Sequence, residues 1–201
     1  MLKRRLPNRL IVGISGASGV TYGVRLLELL RAAGVETHLV VSQAAQVTLA
    51  HETGLKLRQV IARADVHYAA SDIAAPISSG SFRTLGMIVA PCSMRTLAEI
   101  ATGVSSSLLS RAADVVLKER RRLVLLVRET PLHLGHLRNL CAVTEMGAIV
   151  YPPVPAFYAA PKSVQEVIDH SLGRALDMFD IDVGRVRRWG VDLGPRPRVA
   201  S

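Results

Sequence analysis

Gly13, Gly16, Gly19 and Gly23 fall within the stretch IVGISGASGVTYGVRLLELL (residues 11–30), directly behind an apolar run and ahead of a helical pattern. Glycines placed there let the chain turn tightly and bring its backbone close to an anion, while the following helix presents unpaired N–H groups and the positive end of its dipole. Ser15 and Ser18 add hydroxyl donors. The chemistry this suits is phosphate binding. The spacing is G-x-x-G-x-x-G, not the G-x-G-x-x-G of dinucleotide folds, and the second apolar run ends at Ser42, where NAD-binding chains place an acid for the ribose. No G-x-x-x-x-G-K-[ST] sequence is present either, so a mononucleotide such as FMN is favoured over NAD or ATP. A later run ends APCSMRT, where Ser93 and Thr96 supply N-cap hydroxyls and a further set of unpaired amides.

Two other groups of reactive types read as structural. His133 and His136 lie three apart on a helix expected to begin at Thr130 and Pro131, and no further ligands accompany them, so a helix surface or an interface is their expected place. Cys92 precedes Ser93 without an activating base and is expected as a small buried hydrophobe. No metal site is expected.

The elements that must position these groups are legible as apolar runs followed by amphipathic stretches. RLIVGIS precedes YGVRLLELLRAAG, THLVVS precedes QAAQVTLAHETG, LGMIVAPCS precedes RTLAEIATG, RRLVLLVRE precedes LHLGHLRNLCAVTEMG, and AIVYPP closes the series. Continuous Val/Ile/Leu runs suit parallel strands buried on both faces, and Gly34, Gly54, Gly103 and Gly147 stand where helices should stop. The expected fold is a doubly wound parallel α/β sheet in three layers. Residues 62–84 break the rhythm and predict a long loop with a short strand or helix. PPVPAFYAAPKS is extended, and SVQEVIDHSLGRALDMF predicts a last helix ending near Ile181.

At 201 residues the chain reads as one domain, with a core over about 9–182 and a tail over about 183–201 that is ordered only if it docks. A net charge of +9 calls for an anionic partner, yet 4% aromatics argue against a nucleic-acid stacking platform. Lys3, Arg4, Arg5, Arg185, Arg187, Arg188, Arg196 and Arg198 read as solvated termini. No run approaches the roughly 18 apolar residues of a membrane span. With two cysteines and no secretory h-region, a soluble, cytoplasmic protein is expected, and its high apolar content predicts a homo-oligomer.

ISGASGVTYGVRLLELL, Ser42 to Thr53, SSGSF, PCSMRTLAEIATG, RAADVVLKERR, LVRETPLHLGHL and PPVPAFY together resemble the UbiX flavin prenyltransferase family, over about residues 9–190. The resemblance implies a Rossmann-like (flavodoxin-like) fold, a dodecamer, and metal-independent transfer of a dimethylallyl group from dimethylallyl phosphate to N5 and C6 of reduced FMN. The product, prenylated FMN, would serve a UbiD-type decarboxylase. Gly16, Ala17, Ser18, Ser42, Ser93, Met94, Arg95, Thr96 and Arg128 match the family's FMN contacts. Lys118, Arg128, Glu129, Tyr158 and Arg174 match its prenyl-phosphate group, joined by Arg111, with Glu52 a further active-site carboxylate and Trp189 beside the prenyl pocket.

The residue types suit that chemistry. Breaking an allylic C–O bond builds negative charge on the departing phosphate, and Arg128, Arg174, Lys118 and the Tyr158 hydroxyl are groups that stabilise it. Glu129 ends the strand RLVLLV, where ligands collect in an α/β sheet, and is the carboxyl expected to move protons. Two alternatives differ in class. A flavin-dependent cysteine decarboxylase would carry P-x-M-N-x-x-M-W, which is absent, and a non-enzymatic flavin carrier would have no use for Glu129, Lys118, Tyr158 and Arg174 together.

Overall fold

In a computed structural model, which describes residues 8–195, the chain forms a six-stranded, all-parallel sheet flanked by helices on both faces. The strands are β1 (Arg9–Ile14), β2 (Glu36–Val41), β3 (Val66–Tyr68), β4 (Gly86–Cys92), β5 (Arg122–Val127) and β6 (Ile149–Val150), in spatial order β3-β2-β1-β4-β5-β6. This is the Rossmann order, and its topological switch point lies between β1 and β4.

The continuous apolar strands divide their side chains between two cores, because successive residues of a strand point to opposite faces. Leu10, Val12 and Ile14 of β1, Ile88 and Ala90 of β4, and Val124 and Leu126 of β5 enter one core. That face is covered by α1 (Val20–Ala32), α2 (Gln43–Thr53), α3 (Leu57–Ile61) and α7 (Val164–Asp177). Ile11, Met87, Val89, Cys92, Leu123, Leu125 and Val127 enter the other, under α4 (Met94–Thr102), α5 (Leu108–Lys118) and α6 (Leu134–Glu145). Two helices therefore connect β4 to β5, where the apolar pattern alone marks one. Residues 62–84 hold β3 and a helical turn at Pro76–Ser78, as the break in rhythm predicts.

The last helix closes through a Schellman pairing. Asp180, at φ 59°, donates its N–H to Asp177 C=O at 3.1 Å, and Ile181 donates to Leu176 C=O at 3.2 Å. Beyond it the chain does not drift into solvent. Residues 183–189 fold back as a strap over α7, with Val183 and Val186 against Gly173; Arg185 and Arg187 stay exposed as expected while finding partners, and the solvated reading is corrected for Arg188. Arg185 lies 3.9 Å from Asp169, Arg187 donates to Ala159 C=O at 2.8 Å, and Arg188 pairs with Asp177. Lys3, Arg4, Arg5, Arg196 and Arg198 lie outside the described residues. No helix among the described residues is long and apolar enough to cross a membrane.

Candidate functional site

The carboxyl ends of β1 and β4 are stitched by Ser15. Its fully buried hydroxyl donates to Pro91 C=O at 2.9 Å and accepts the Ser93 N–H at 2.7 Å. Pro91 has no N–H, and the β4–β5 ladder shifts register between Val89 and Cys92, which leaves the Pro91 carbonyl turned to β1. Ser15 is thus consumed by the fold, and the expectation that it donates to a ligand is corrected.

The glycine turn then runs close under α2. A Cβ on Gly16 would lie 2.4 Å from Ala44 Cβ and 3.0 Å from the Ala44 carbonyl carbon, so only glycine admits this approach. Gly19 caps α1 in the left-handed region at φ 95°. Its N–H donates to the Glu52 carboxylate at 2.8 and 3.1 Å, and the Val20 N–H donates to the same group at 3.1 Å. The expected phosphate seat on the α1 amides is therefore already taken by a carboxylate of this chain, for the same electrostatic reason that would attract a phosphate. Ser18 stands exposed on the turn.

Two helix starts beside the turn keep their donors. Ser42 caps α2, its hydroxyl oxygen accepting the Ala45 N–H at 3.1 Å, and Ser93 caps α4, accepting the Thr96 N–H at 3.3 Å. The first-turn amides of Gln43 and Ala44, and of Met94 and Arg95, have no intrahelical acceptor. The Arg95 side chain is directed to solvent and to Glu99 at 3.0 Å. Together with Gly16 and Ala17 these neutral donors, at the positive ends of two helix dipoles, lie at the switch point, an arrangement that suits an anionic tail such as the phosphate of FMN.

On the next strand, the Arg128 N–H donates to Cys92 C=O at 3.1 Å, one step beyond β5. Its guanidinium and the Glu129 carboxyl are both exposed, and Glu129 accepts the Thr130 N–H at 3.0 Å. The following helix begins at Leu134, later than expected, because the His133 ring supplies the cap. Its Nδ1 accepts the Gly135 and His136 N–H groups at 3.0 and 3.4 Å, and the two imidazoles lie 3.6 Å apart, centre to centre. Cys92 is buried, and burial pushes its thiol up to about 12, which suits an inert core residue.

A second group forms over α7. Tyr158, Arg174 and Trp189 line a cleft of about 250 Å³ with Val186, Arg187 and Arg188, and the Trp189 ring meets Tyr158 edge-on at 6.0 Å. Asp177 joins the two arginines. Arg174 donates to it at 2.6 Å and Arg188 grips both its oxygens at 2.9 Å; Arg188 first, then Arg174, holds its carboxyl below the usual range against the opposing effect of burial. Tyr151 packs against the core under α1 and α7, its phenol pushed up by burial with Arg174 opposing. Asp177, Arg188 and Tyr151 are absent from the sequence-based set. Arg188 carried one signal, its place in RRWG beside Trp189.

Lys118 is not brought to either group within the chain. It ends α5, with three residues between it and the start of β5, and so stands at the amino edge of the sheet, paired with Glu119 at 2.6 Å. Arg128 follows the other end of β5, and six strand residues span about 20 Å. Arg111, in the first turn of α5 and paired with Asp114 at 2.7 Å, stands toward the carboxyl edge. Among the described residues no cluster of His, Cys, Asp and Glu forms a metal site.

Residues 3–176 match the family model described as Flavoprotein. The chain is 62% identical over 174 residues to the flavin prenyltransferase UbiX of Escherichia coli (strain K12), covering 86% of this chain and 92% of that one. It superposes on AnUbiX (PadA1), crystallised in complex with FMN and dimethylallyl pyrophosphate, with a TM-score of 0.89 and 53% identity, over 90% of this chain and 97% of that chain. A dodecameric FMN-dependent UbiX-like decarboxylase from Escherichia coli O157:H7 gives a TM-score of 0.87 at 51% identity, over 90% and 98% of the two chains.

Proposed function

Because the chain belongs to the UbiX flavin prenyltransferase family, we propose that it moves a dimethylallyl group from dimethylallyl phosphate onto reduced FMN. The observation that carries this reading is the meeting of two serine-capped helix starts, at Ser42 and Ser93, beside Gly16 at the switch point, with Arg128 and Glu129 open on the next strand. Bound reduced FMN would supply the two positions, N5 and C6, that the dimethylallyl carbons join, and the four-ring product would be taken as cofactor by a UbiD-type decarboxylase.

The chain's own part is to hold and neutralise. Gly16, Ala17, Ser18, Ser42 and Ser93 to Thr96 hold the flavin; Arg128, Arg174, Lys118, Arg111 and the Tyr158 hydroxyl take the charge of the departing phosphate, and Trp189 walls the prenyl chain. Glu52 keeps the turn that carries Ser18 in shape. Glu129 donates a proton to the leaving phosphate oxygen and takes one back as the ring closes. Lys118, at the opposite sheet edge, serves a neighbouring subunit's site, and a dodecamer like that of the relative supplies the neighbour. The apolar side chains of Val154 and Phe157, 72% and 78% exposed in the single chain, suit such an assembly. We take 1–201 as a single domain.

Anaerobic incubation with reduced FMN and dimethylallyl phosphate, followed by mass spectrometry of the flavin, tests the reading. A flavin heavier by one prenyl unit is expected, and unmodified flavin beside intact donor overturns it. Glu129→Gln should slow single-turnover prenylation by about 100-fold while FMN stays bound; an unchanged rate removes Glu129 from the proton path.

A further inference from the structure

We propose that Arg188 is a second guanidinium for the donor's phosphate, and that Asp177 is the positioning residue that sets Arg174 and Arg188 as a pair. This rests on the reading of Arg174 and Tyr158 as phosphate-side groups. Asp177 is only 15% exposed and accepts from both arginines, at 2.6 Å from Arg174 and at 2.9 Å twice from Arg188. Fastening the strap to α7 requires one arginine on one carboxylate. Here two guanidiniums share it, Arg187 adds a third with one nitrogen on a carbonyl, and Asp192, which accepts the Arg188 backbone N–H at 2.8 Å, offsets one of them, so these three arginines and two carboxylates keep one positive charge. All three line the cleft that holds Tyr158 and Trp189.

The geometry leaves donors to spare. A guanidinium carries five N–H groups. Arg188 spends one from each terminal nitrogen on Asp177, which leaves its Nε–H and the outer hydrogens, and Arg174 spends one terminal nitrogen. Their side chains remain 39% and 40% exposed, so the unused donors face an open cleft. Asp177 fixes both planes, which lowers the ordering cost of gripping an anion that arrives between them. The same carboxylate keeps the strap seated with Trp189 against Tyr158, so donor site and prenyl wall are set together.

The test uses the full chain loaded with FMN, in four variants: Arg188→Ala, Arg188→Lys, Asp177→Asn and Arg174→Ala. The readouts are KM for dimethylallyl phosphate, kcat, the inhibition constant of inorganic phosphate, FMN affinity, and emission of Trp189, the sole tryptophan. Arg188→Ala and Asp177→Asn should each raise KM and the phosphate inhibition constant by about 10-fold, the value of one charge-assisted bidentate contact, with FMN affinity unchanged. Arg188→Lys keeps a cation for Asp177 but loses the fork. It should keep native Trp189 emission and still show a raised KM, which separates anion binding from a merely structural strap. Native KM and phosphate inhibition in Arg188→Lys and Arg188→Ala, with Arg174→Ala impaired, overturn this proposal alone. If Arg174→Ala also leaves both constants native while prenylation proceeds, the broader reading of the cleft falls as well.

Discussion

Replacing Gly16 with alanine tests the geometry of the switch point directly. The new methyl would lie 2.4 Å from Ala44 Cβ and 3.0 and 3.2 Å from the Ala44 carbonyl carbon and Cα. Two of these are backbone atoms and the third is attached rigidly to them, so no side-chain rotation relieves the clash. Ordinary carbon contacts need about 3.5–4.0 Å, and α2 must therefore withdraw by about 1–1.5 Å. Overpacking of this kind costs about 1–3 kcal/mol, or about 2–4 °C of Tm for each kcal/mol in a chain of this size. Ala44 is the second residue of α2, so the displacement passes straight to the Ser42 cap and the first-turn amides. Losing one or two charge-assisted bonds from that set should weaken FMN binding by about 10- to 100-fold. Flavin fluorescence titration and thermal unfolding measure both effects. Gly54→Ala is the control: it strains a left-handed residue at φ 65° by about 1 kcal/mol, but its methyl meets nothing and should leave FMN affinity alone. If Gly16→Ala binds FMN as the parent does, the switch point is not built as described.

Ser15→Ala would strip the part-buried Ser93 N–H of its acceptor and the Pro91 carbonyl of a donor, and should cost about 1–3 kcal/mol by chemical denaturation with an unchanged m-value. Asp177 has its folded-state pKa held below the unfolded value of 3.8, so its contribution is fully present above that pH and lost as pH falls through the lower folded value. Trp189 emission should report the strap leaving on acidification, and in Asp177→Asn already at neutral pH; a Trp189 signal insensitive to both would refute the clasp. Cys92, buried with its thiol pushed up to about 12, should resist alkylation at pH 8 in the native protein and react once unfolded.

The sequence by itself determined the class of fold and the places where function collects. Runs such as RLIVGI and RLVLLV have no polar or charged side chain after the opening arginine, and only a strand covered on both faces buries such a run, so a parallel sheet between helices follows. Ser93 was legible as a helix cap because capping depends on a residue and the three that follow it, whereas the Ser42 cap was found only in the fold. The last helix was legible too, since its periodicity runs to the Asp180 turn.

Long-range partners had no local signature. That Ser15 would spend its hydroxyl on Pro91, 76 residues away, and that Glu52 would occupy the α1 amides in place of a phosphate, depended on which chain ends the sheet order brought together. Two of the four glycines follow the same rule: their spacing suggested a phosphate loop, whereas Gly16 and Gly23 are needed because a neighbouring element passes close by. Charge was the least legible property. Arg188 looked like a solvated tail residue and Lys118 like a member of the same cluster as Arg128, because a sequence lists charges without saying which carboxylate lies opposite or which edge of the sheet they reach. Only the folded chain, by laying the strap across α7 and placing a whole strand between Lys118 and Arg128, decided which of them meet within one subunit.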